Sequence, residues 1–228
     1  MIIKRIIVAI DNNNLKDSIK LVKTLKDEVY AFKIGYEFFL NFGIVGYNKI
    51  KKICPNIFLD LKLHDIPNTV NKGIIAINKL KPLLTTIHIS GGDEMMRQSR
   101  VRNKFTKILG VSILTSMDNN QTKKYYNNNN VTMLVKKFVN EAKKSKLDGI
   151  ICSPKEIKII RKVVGKKFLI ITPGIRLTNK LKIKDDQKRT LTPSQAVKLG
   201  ADFLVIGRPI TKSHNPLKTV KDINSSLN

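Results

Sequence analysis

Residues 57–70 read IFLDLKLHDIPNTV. Ile57, Phe58 and Leu59 open the stretch as a buried strand would. Asp60, Lys62, His64 and Asp65 then arrive within six positions, interleaved with Leu61 and Leu63. A buried charge is costly unless it is paired, so strands seldom carry this many ionisable groups. Asp60 and Lys62 are two apart, and in a strand that spacing sends both side chains to one side. There they must neutralise one another. Lys33, in the apolar run AFKIG at 31–35, and Asp65 would extend the pair to two cations and two anions. Such an array is either a structural ion-pair network or a site for moving a proton.

The elements that could position these residues follow from hydrophobic patterning. Short β-rich runs recur as IIVAI at 6–10, AFKIG at 31–35, NIFLDLK at 56–62 and LLTTIHIS at 83–90. They continue as KILGVSIL at 107–114, GIICS at 149–153, FLIIT at 168–172 and FLVIG at 203–207. Helical period occupies 15–29, 36–52, 68–80, 93–101, 131–146, 154–164, 193–199 and 216–227. Asp148-Gly149 and Gly200-Ala201-Asp202 sit where helices should pass into strands. Ser153-Pro154 and Thr192-Pro193 read as an N-cap followed by a first-turn proline.

Eight strands alternating with eight helices imply a parallel sheet covered on both faces. At 228 residues the pattern predicts an α/β protein, a TIM (β/α)8 barrel forming one catalytic domain over 1–228. A doubly wound open sheet is the alternative. The first strand is not followed by GxGxxG, which argues against a dinucleotide site. The low-complexity piece DNNQTKKYYNNNN at 118–130 reads as a long polar loop.

In a TIM barrel the chemistry gathers at the C-terminal ends of the strands. Asp11 ends strand one, Lys33 lies near the end of strand two, and Asp60 and Lys62 end strand three. His88 and Ser90 end strand four. Thr115 and Ser116 follow strand five, and Ser153 follows strand six. Pro173, Gly174 and Arg176 follow strand seven, and Gly207 and Arg208 follow strand eight. Loops after the last two strands are the usual phosphate cradle of this fold. Here they read TPGIR and IGRPI. Their glycines let backbone N–H groups approach an anion, and either arginine can add a forked contact.

The formal charge of +26 would suit a nucleic-acid binder. The basic residues are spread along the whole chain, however, and Lys, Asn and Ile are abundant together. An AT-rich coding sequence produces that trio, so no nucleic-acid partner is expected; a cationic surface can still steer a small anion. Cys54 and Cys152 suggest no disulfide framework and read as small core residues. His64, His88 and His214 lack zinc-motif spacing, and no metal site is expected. The start, MIIKRIIVAID, is too short and too charged for a signal peptide. No window approaches a membrane span, so a soluble, cytoplasmic protein is expected.

FLDLKLHDIPNT closely resembles the DxKxxDIPNT segment of the orotidine 5'-monophosphate decarboxylase family, in its bacterial branch. The match continues through VAID at 8–11, FKIG at 32–35, HISGG at 88–92 and LTSM at 114–117. DGIICS at 148–153, TPGIR at 172–176, DQKR at 186–189 and VIGRPIT at 205–211 follow in family order. The resemblance implies a decarboxylase without metal or cofactor that makes uridine 5'-monophosphate. It implies that Lys62 delivers a proton to C6 of the pyrimidine. Asp60 would lie beside the substrate carboxylate. Lys33 would bind the ribose and complete the charge array, with Asp11 on a ribose hydroxyl. Asp65 would enter the site of a second subunit, implying a homodimer, with Ile66 and Thr69 lining the shared edge. Thr115, beside Ser116, would meet the pyrimidine. Gln187, Gly207 and Arg208 would hold the phosphate, with Arg176 in the same region.

Two departures from the family pattern stand out. RLTNKLKIKDDQ, from Arg176 to Gln187, is lysine-rich and lacks the glycines usual before the DQ pair. The strand entering HISGG also differs. Related barrels sharing DxKxxD, the sugar-phosphate decarboxylases and hexulose-phosphate synthases, use a divalent metal. The IPNT continuation, TPGIR and the DQ pair favour orotidine monophosphate over those relatives. A degenerate barrel that binds nucleic acid is the rival from another class. His64 reads as a structural or interface residue.

Overall fold

The computed structural model describes residues 4–100, 105–177 and 190–227. Eight strands follow one another along the chain: β1 (Ile6–Ala9), β2 (Ala31–Ile34), β3 (Ile57–Leu63), β4 (Leu84–His88), β5 (Lys107–Val111), β6 (Gly149–Ile151), β7 (Leu169–Thr172) and β8 (Phe203–Ile206). Each pairs in parallel with the next, and β8 returns to pair with β1, closing the barrel. The expected TIM barrel is therefore observed, and the open-sheet alternative is not.

Around the strands lie α1 (Leu15–Leu25), α2 (Tyr36–Ile53), α3 (Pro67–Leu80), α4 (Asp93–Arg100), α5 (Asn119–Tyr126), α6 (Val131–Lys144), α7 (Ile157–Val164), α8 (Pro193–Lys198), α9 (Arg208–Thr211) and α10 (Pro216–Ser225). No helix among the described residues is long and apolar enough to cross a membrane.

Alternation along each strand divides the core in two. Ile6, Val8, Phe32, Ile34, Ile57 and Leu59 face the helices and join the large outer cluster. Ile7, Ala9, Ala31, Phe58, Leu84, Leu109, Ile171 and Val205 fill the barrel interior. The inward line of β1 thus runs Ile7, Ala9 and on to Asp11. That of β2 runs Ala31, Lys33, and that of β3 runs Phe58, Asp60. The period of two that packs the interior carries the charged residues to its upper rim. Cys54 and Cys152 are both buried, and neither is in a disulfide.

The boundary signals work as their chemistry requires. Ser153 and Thr192 each form a capping box, with Glu156 and Gln195 respectively. Gly200 sits at φ 109 in the turn into β8, a conformation that favours glycine.

Three expectations need correction. Residues 118–130 are not simply a loop, because they contain α5. Asp118 accepts from the Gln121 N–H and Gln121 reaches back, which nucleates the helix, and Asn127 closes it in the left-handed region. β4 stops at His88, and Ile89–Gly91 forms a 3-10 turn, so Ser90 lies outside the strand. β5 stops at Val111. The short helix α9 was not expected.

At the lower end of the barrel two carboxylates repeat one task. Asp148 accepts from the Ile108 N–H at 2.7 Å and pairs with Arg100. Asp202 accepts from the Ile170 N–H at 2.7 Å and pairs with Arg161 at 2.6 Å. Arg161 also donates to the carbonyls of Gly200 and Phe168. Each carboxylate caps a neighbouring strand where its ladder begins. Asp202→Ala should cost about 2–4 kcal/mol, since it strands a buried N–H and an arginine. Urea unfolding measures that loss, and kcat should stay unchanged because the residue lies at the end remote from the rim.

Candidate active site

A cavity of about 1120 Å³ opens at the C-terminal rim of the barrel. Its floor is apolar, formed by Ala9, Phe58, Val111, Ile151 and Val205. Charged groups from β1 to β3 stand on one side of it, in an alternating row. Asp11 lies 3.3 Å from Lys33 Nζ, which lies 3.7 Å from Asp60, which lies 2.8 Å from Lys62 Nζ.

Asp60 is the enclosed member of this row, with 7% of its surface exposed. Burial pushes its pKa up. The ammonium groups of Lys33 and Lys62, with hydrogen bonds from Lys62 and Thr86, outweigh that effect and hold it below the ordinary 3.8. Both carboxylate oxygens are engaged: Oδ1 accepts from Thr86 at 2.8 Å, and Oδ2 faces the two lysines. Lys62 is the more open lysine, its side chain 27% exposed against 12% for Lys33. A fixed cation thus projects into the cavity beside a fixed anion.

Asp60 and Lys62 do meet, but not through a regular strand. Leu59 pairs with Thr85 and Leu63 with Ile87, so three residues of β3 stand opposite the single residue Thr86. This is a bulge, and Lys62 inside it adopts φ 43, a left-handed conformation uncommon for a residue with a side chain. Thr86 and Tyr36, which brace the bulge, were missed from sequence. Thr86 had a weak signal, being a polar residue at an inward position of an apolar strand.

The opposite side of the cavity is lined by Pro173, Gly174, Arg176, Gly207, Arg208 and Lys212, after β7 and β8. Thr115 lines it from the loop after β5. Gly174 sits at φ 78, where a side chain would strain the turn. Lys20 of α1 and His214 also line the cavity and were not foreseen. Gln187 and the lysine-rich loop before it lie outside the described residues. Ser153 is buried and used as a helix cap.

Asp65, Ile66 and Thr69 are not brought to this cavity. Asp65 is exposed, and its Oδ1 accepts from the adjacent Ile66 N–H at 2.6 Å. Ile66 is 66% exposed at the start of α3, and Thr69 is exposed one turn later. Among the described residues Asp65 joins no ion pair, so the single chain does not extend the row to it.

The family model for "Orotidine 5'-phosphate decarboxylase / HUMPS family" matches residues 4–223. The chain belongs to that family. It is 45% identical over 224 residues to the orotidine 5'-phosphate decarboxylase of Wolbachia sp. subsp. Brugia malayi (strain TRS), covering 97% of this chain and 98% of the relative. It is 41% identical over 227 residues to that of Wigglesworthia glossinidia brevipalpis, covering 98% and 97%. Among solved structures, the orotidine 5'-phosphate decarboxylase from Lactobacillus acidophilus superposes with a TM-score of 0.84 at 34% identity, over 99% of this chain and 100% of that one. Among the described residues of this family member, no group of three His, Cys, Asp or Glu side chains could hold a metal ion.

At the end of β4, His88 stacks on His64 with ring centres 5.1 Å apart. Burial, then His64 and Lys62, push the His88 pKa down from 6.5 to about 4, against a smaller upward pull from Asp60. The unfolded chain therefore takes up a proton near pH 6.5 that the folded chain resists until about pH 4. Stability from this group is fully present above pH 6.5 and is lost as pH falls through that window. His88→Asn, which cannot take up the proton, should flatten the stability profile between pH 6.5 and 4, as read by urea midpoints across that range.

Proposed function

We propose that this chain is a single-domain cytoplasmic enzyme that decarboxylates orotidine 5'-monophosphate to uridine 5'-monophosphate and carbon dioxide. Family membership supports the reaction. The observation that carries the mechanism is the row Asp11, Lys33, Asp60, Lys62, with Lys62 as the open cation at its end.

In this reading the C6–carboxylate bond breaks and carbon dioxide departs. The electron pair left on C6 has no ring position to delocalise into. Lys62, held 2.8 Å from Asp60, stabilises that pair and then donates its proton to C6. The ammonium is in place before charge develops, so little reorganisation is needed. Asp60 sits beside the substrate carboxylate and holds Lys62. Lys33 and Asp11 take the ribose, and Thr115 meets the pyrimidine. Arg208, Gly207, Arg176 and Gln187 take the phosphate. Phosphate binding far from C6 contributes orientation, which the chemical step then uses. The reading requires no metal, no cofactor and no nucleic-acid partner.

Lys62→Ala should lower turnover at least about 10³-fold while binding of uridine 5'-monophosphate stays measurable. A spectrophotometric assay with orotidine 5'-monophosphate reads the first and calorimetry the second. Near-normal turnover in that variant would sink the role given to Lys62. The same assay with EDTA should show no change, whereas loss of activity would move the chain to the metal-using branch of the family.

A homodimer belongs to the same proposal. Tyr36 and Leu40, four apart in the first part of α2, are 52% and 79% exposed, and beyond the break at Gly43 Ile44 and Val45 are 54% and 68% exposed. Tyr36 is tied to β3 by its bond to the Leu61 carbonyl, which sets this apolar face close to the turn carrying Asp65 and Ile66. A second copy would cover the face and receive Asp65, Ile66 and Thr69 at its own cavity. Mixing inactive Lys62→Ala and Asp65→Asn chains should then restore about a quarter of full activity, because random pairing makes one intact site in half the dimers. No recovery after subunit exchange would mean that each cavity uses its own chain's Asp65.

A further inference from the structure

We infer that Thr86 is a positioning residue for the proton donor, its one hydroxyl fixing both the backbone of Lys62 and the carboxylate of Asp60. The inference rests on the role proposed for Lys62. Thr86 is fully buried on β4, opposite the bulge of β3. Its Oγ1 accepts from the Lys62 N–H at 2.9 Å and donates to Asp60 Oδ1 at 2.8 Å. A hydroxyl has one proton to give and lone pairs to receive, so both bonds can form together.

Each bond answers a need created by the bulge. The register shift takes the Lys62 N–H out of the regular β3–β4 ladder, and a buried amide left unpaired would favour another backbone path. Lys62 also holds an unfavourable φ of 43, which persists only where surrounding contacts fix it. The bond to Oδ1 decides the orientation of Asp60, leaving Oδ2 for Lys62 and Lys33. Tyr36 holds the outer side of the same bulge. Its hydroxyl donates to the Leu61 carbonyl at 2.7 Å, and its ring centre lies 6.0 Å from Lys62 Nζ. Asp60, Leu61 and Lys62 are therefore each held by a side chain from outside their strand. Thr86 alone among these ties touches both members of the reacting pair.

Thr86→Val keeps the shape and removes the hydroxyl, while Thr86→Ser keeps the hydroxyl and removes a methyl. Valine should lower kcat by about 10–100-fold with KM and product affinity changed less than about threefold, since misplacement near 1 Å has effects of that order. Serine should recover kcat to within about threefold of the parent. In the valine variant the acid limb of the kcat profile should move to higher pH, because Asp60 loses a donor to its ionised form. The Lys62 amide should exchange with deuterium faster in the valine variant and not in the serine variant. If the valine variant fails to fold, Thr86→Ala carries the same expectations. A valine variant within about twofold of parent kcat would overturn the inference, as would a serine variant no better than valine. An inactive Lys62→Ala beside a fully active Thr86→Val would leave the proton-donor reading standing and remove only the role of Thr86. An active Lys62→Ala would instead remove the reading on which that role rests.

Discussion

The burial of the Asp60 carboxylate constrains everything around it. A carboxylate with 7% exposure cannot remain ionised without partners, and here the partners are two ammonium groups and a hydroxyl. Satisfying Asp60 therefore places Lys33 and Lys62 at defined positions. Lys33 in turn draws Asp11, and the alternating row results from each charge being answered by the next. The same need explains why Lys62 accepts a strained backbone. The bulge directs its ammonium toward Oδ2 instead of out into solvent. The energy that holds the carboxylate ionised is the same interaction that leaves a cation fixed at the cavity.

A closed barrel makes this arrangement tolerable. Every strand has two neighbours, so a local break between β3 and β4 exposes no sheet edge. The two ends of the barrel then use carboxylates differently. At the lower end Asp148 and Asp202 accept strand N–H groups and bind arginines, adding stability with regular geometry. At the upper rim Asp60 is paired with two lysines beside a cavity. The strained bulge at Lys62 thereby sits at the end where it can serve positioning, while the carboxylate–arginine ties act at the other end.

The fold was legible because its main determinant is periodic and local. Alternation in IIVAID and AFKIG gives both the inward apolar line and the charged residue at its end. Ser153-Pro154 and Thr192-Pro193 marked helix starts through capping chemistry that needs only four residues. The meeting of Asp60 and Lys62 was legible from spacing, and the family resemblance supplied expected roles. The bulge was not legible, because it depends on which β4 residue faces β3, and that register is set by the whole barrel. Thr86 was hidden for the same reason. α5 was missed because the run of asparagines obscured the Asp118–Gln121 box, whose helix propensity is modest without it. Asp65 was first grouped with the row by sequence distance. The strand ends at Leu63, and the turn into α3 carries Asp65 away from the row.

The net charge of +26 suggests a molecule that attracts any anion, but the cavity is more selective than that total. Among the described residues its lining carries six cations, Lys20, Lys33, Lys62, Arg176, Arg208 and Lys212, against Asp11, Asp17, Glu37 and Asp60. Among the described residues the distribution of these charges matters more than their sum. Acidic groups stand with the lysines on the side built by β1 to β3 and α1. The side after β7 and β8 has Arg176, Arg208 and Lys212. A ligand with a phosphate at one end and a carboxylate at the other therefore meets two unequal halves. In the proposed reading the phosphate takes the side of the two arginines, and reversing the ligand would set a dianion against Asp60. Global charge raises the local concentration of such anions, while a buried carboxylate repels the more highly charged end of one that approaches it. Asp60 thus has a second consequence beyond holding Lys62, because it makes one end of the cavity poor at binding the more highly charged group.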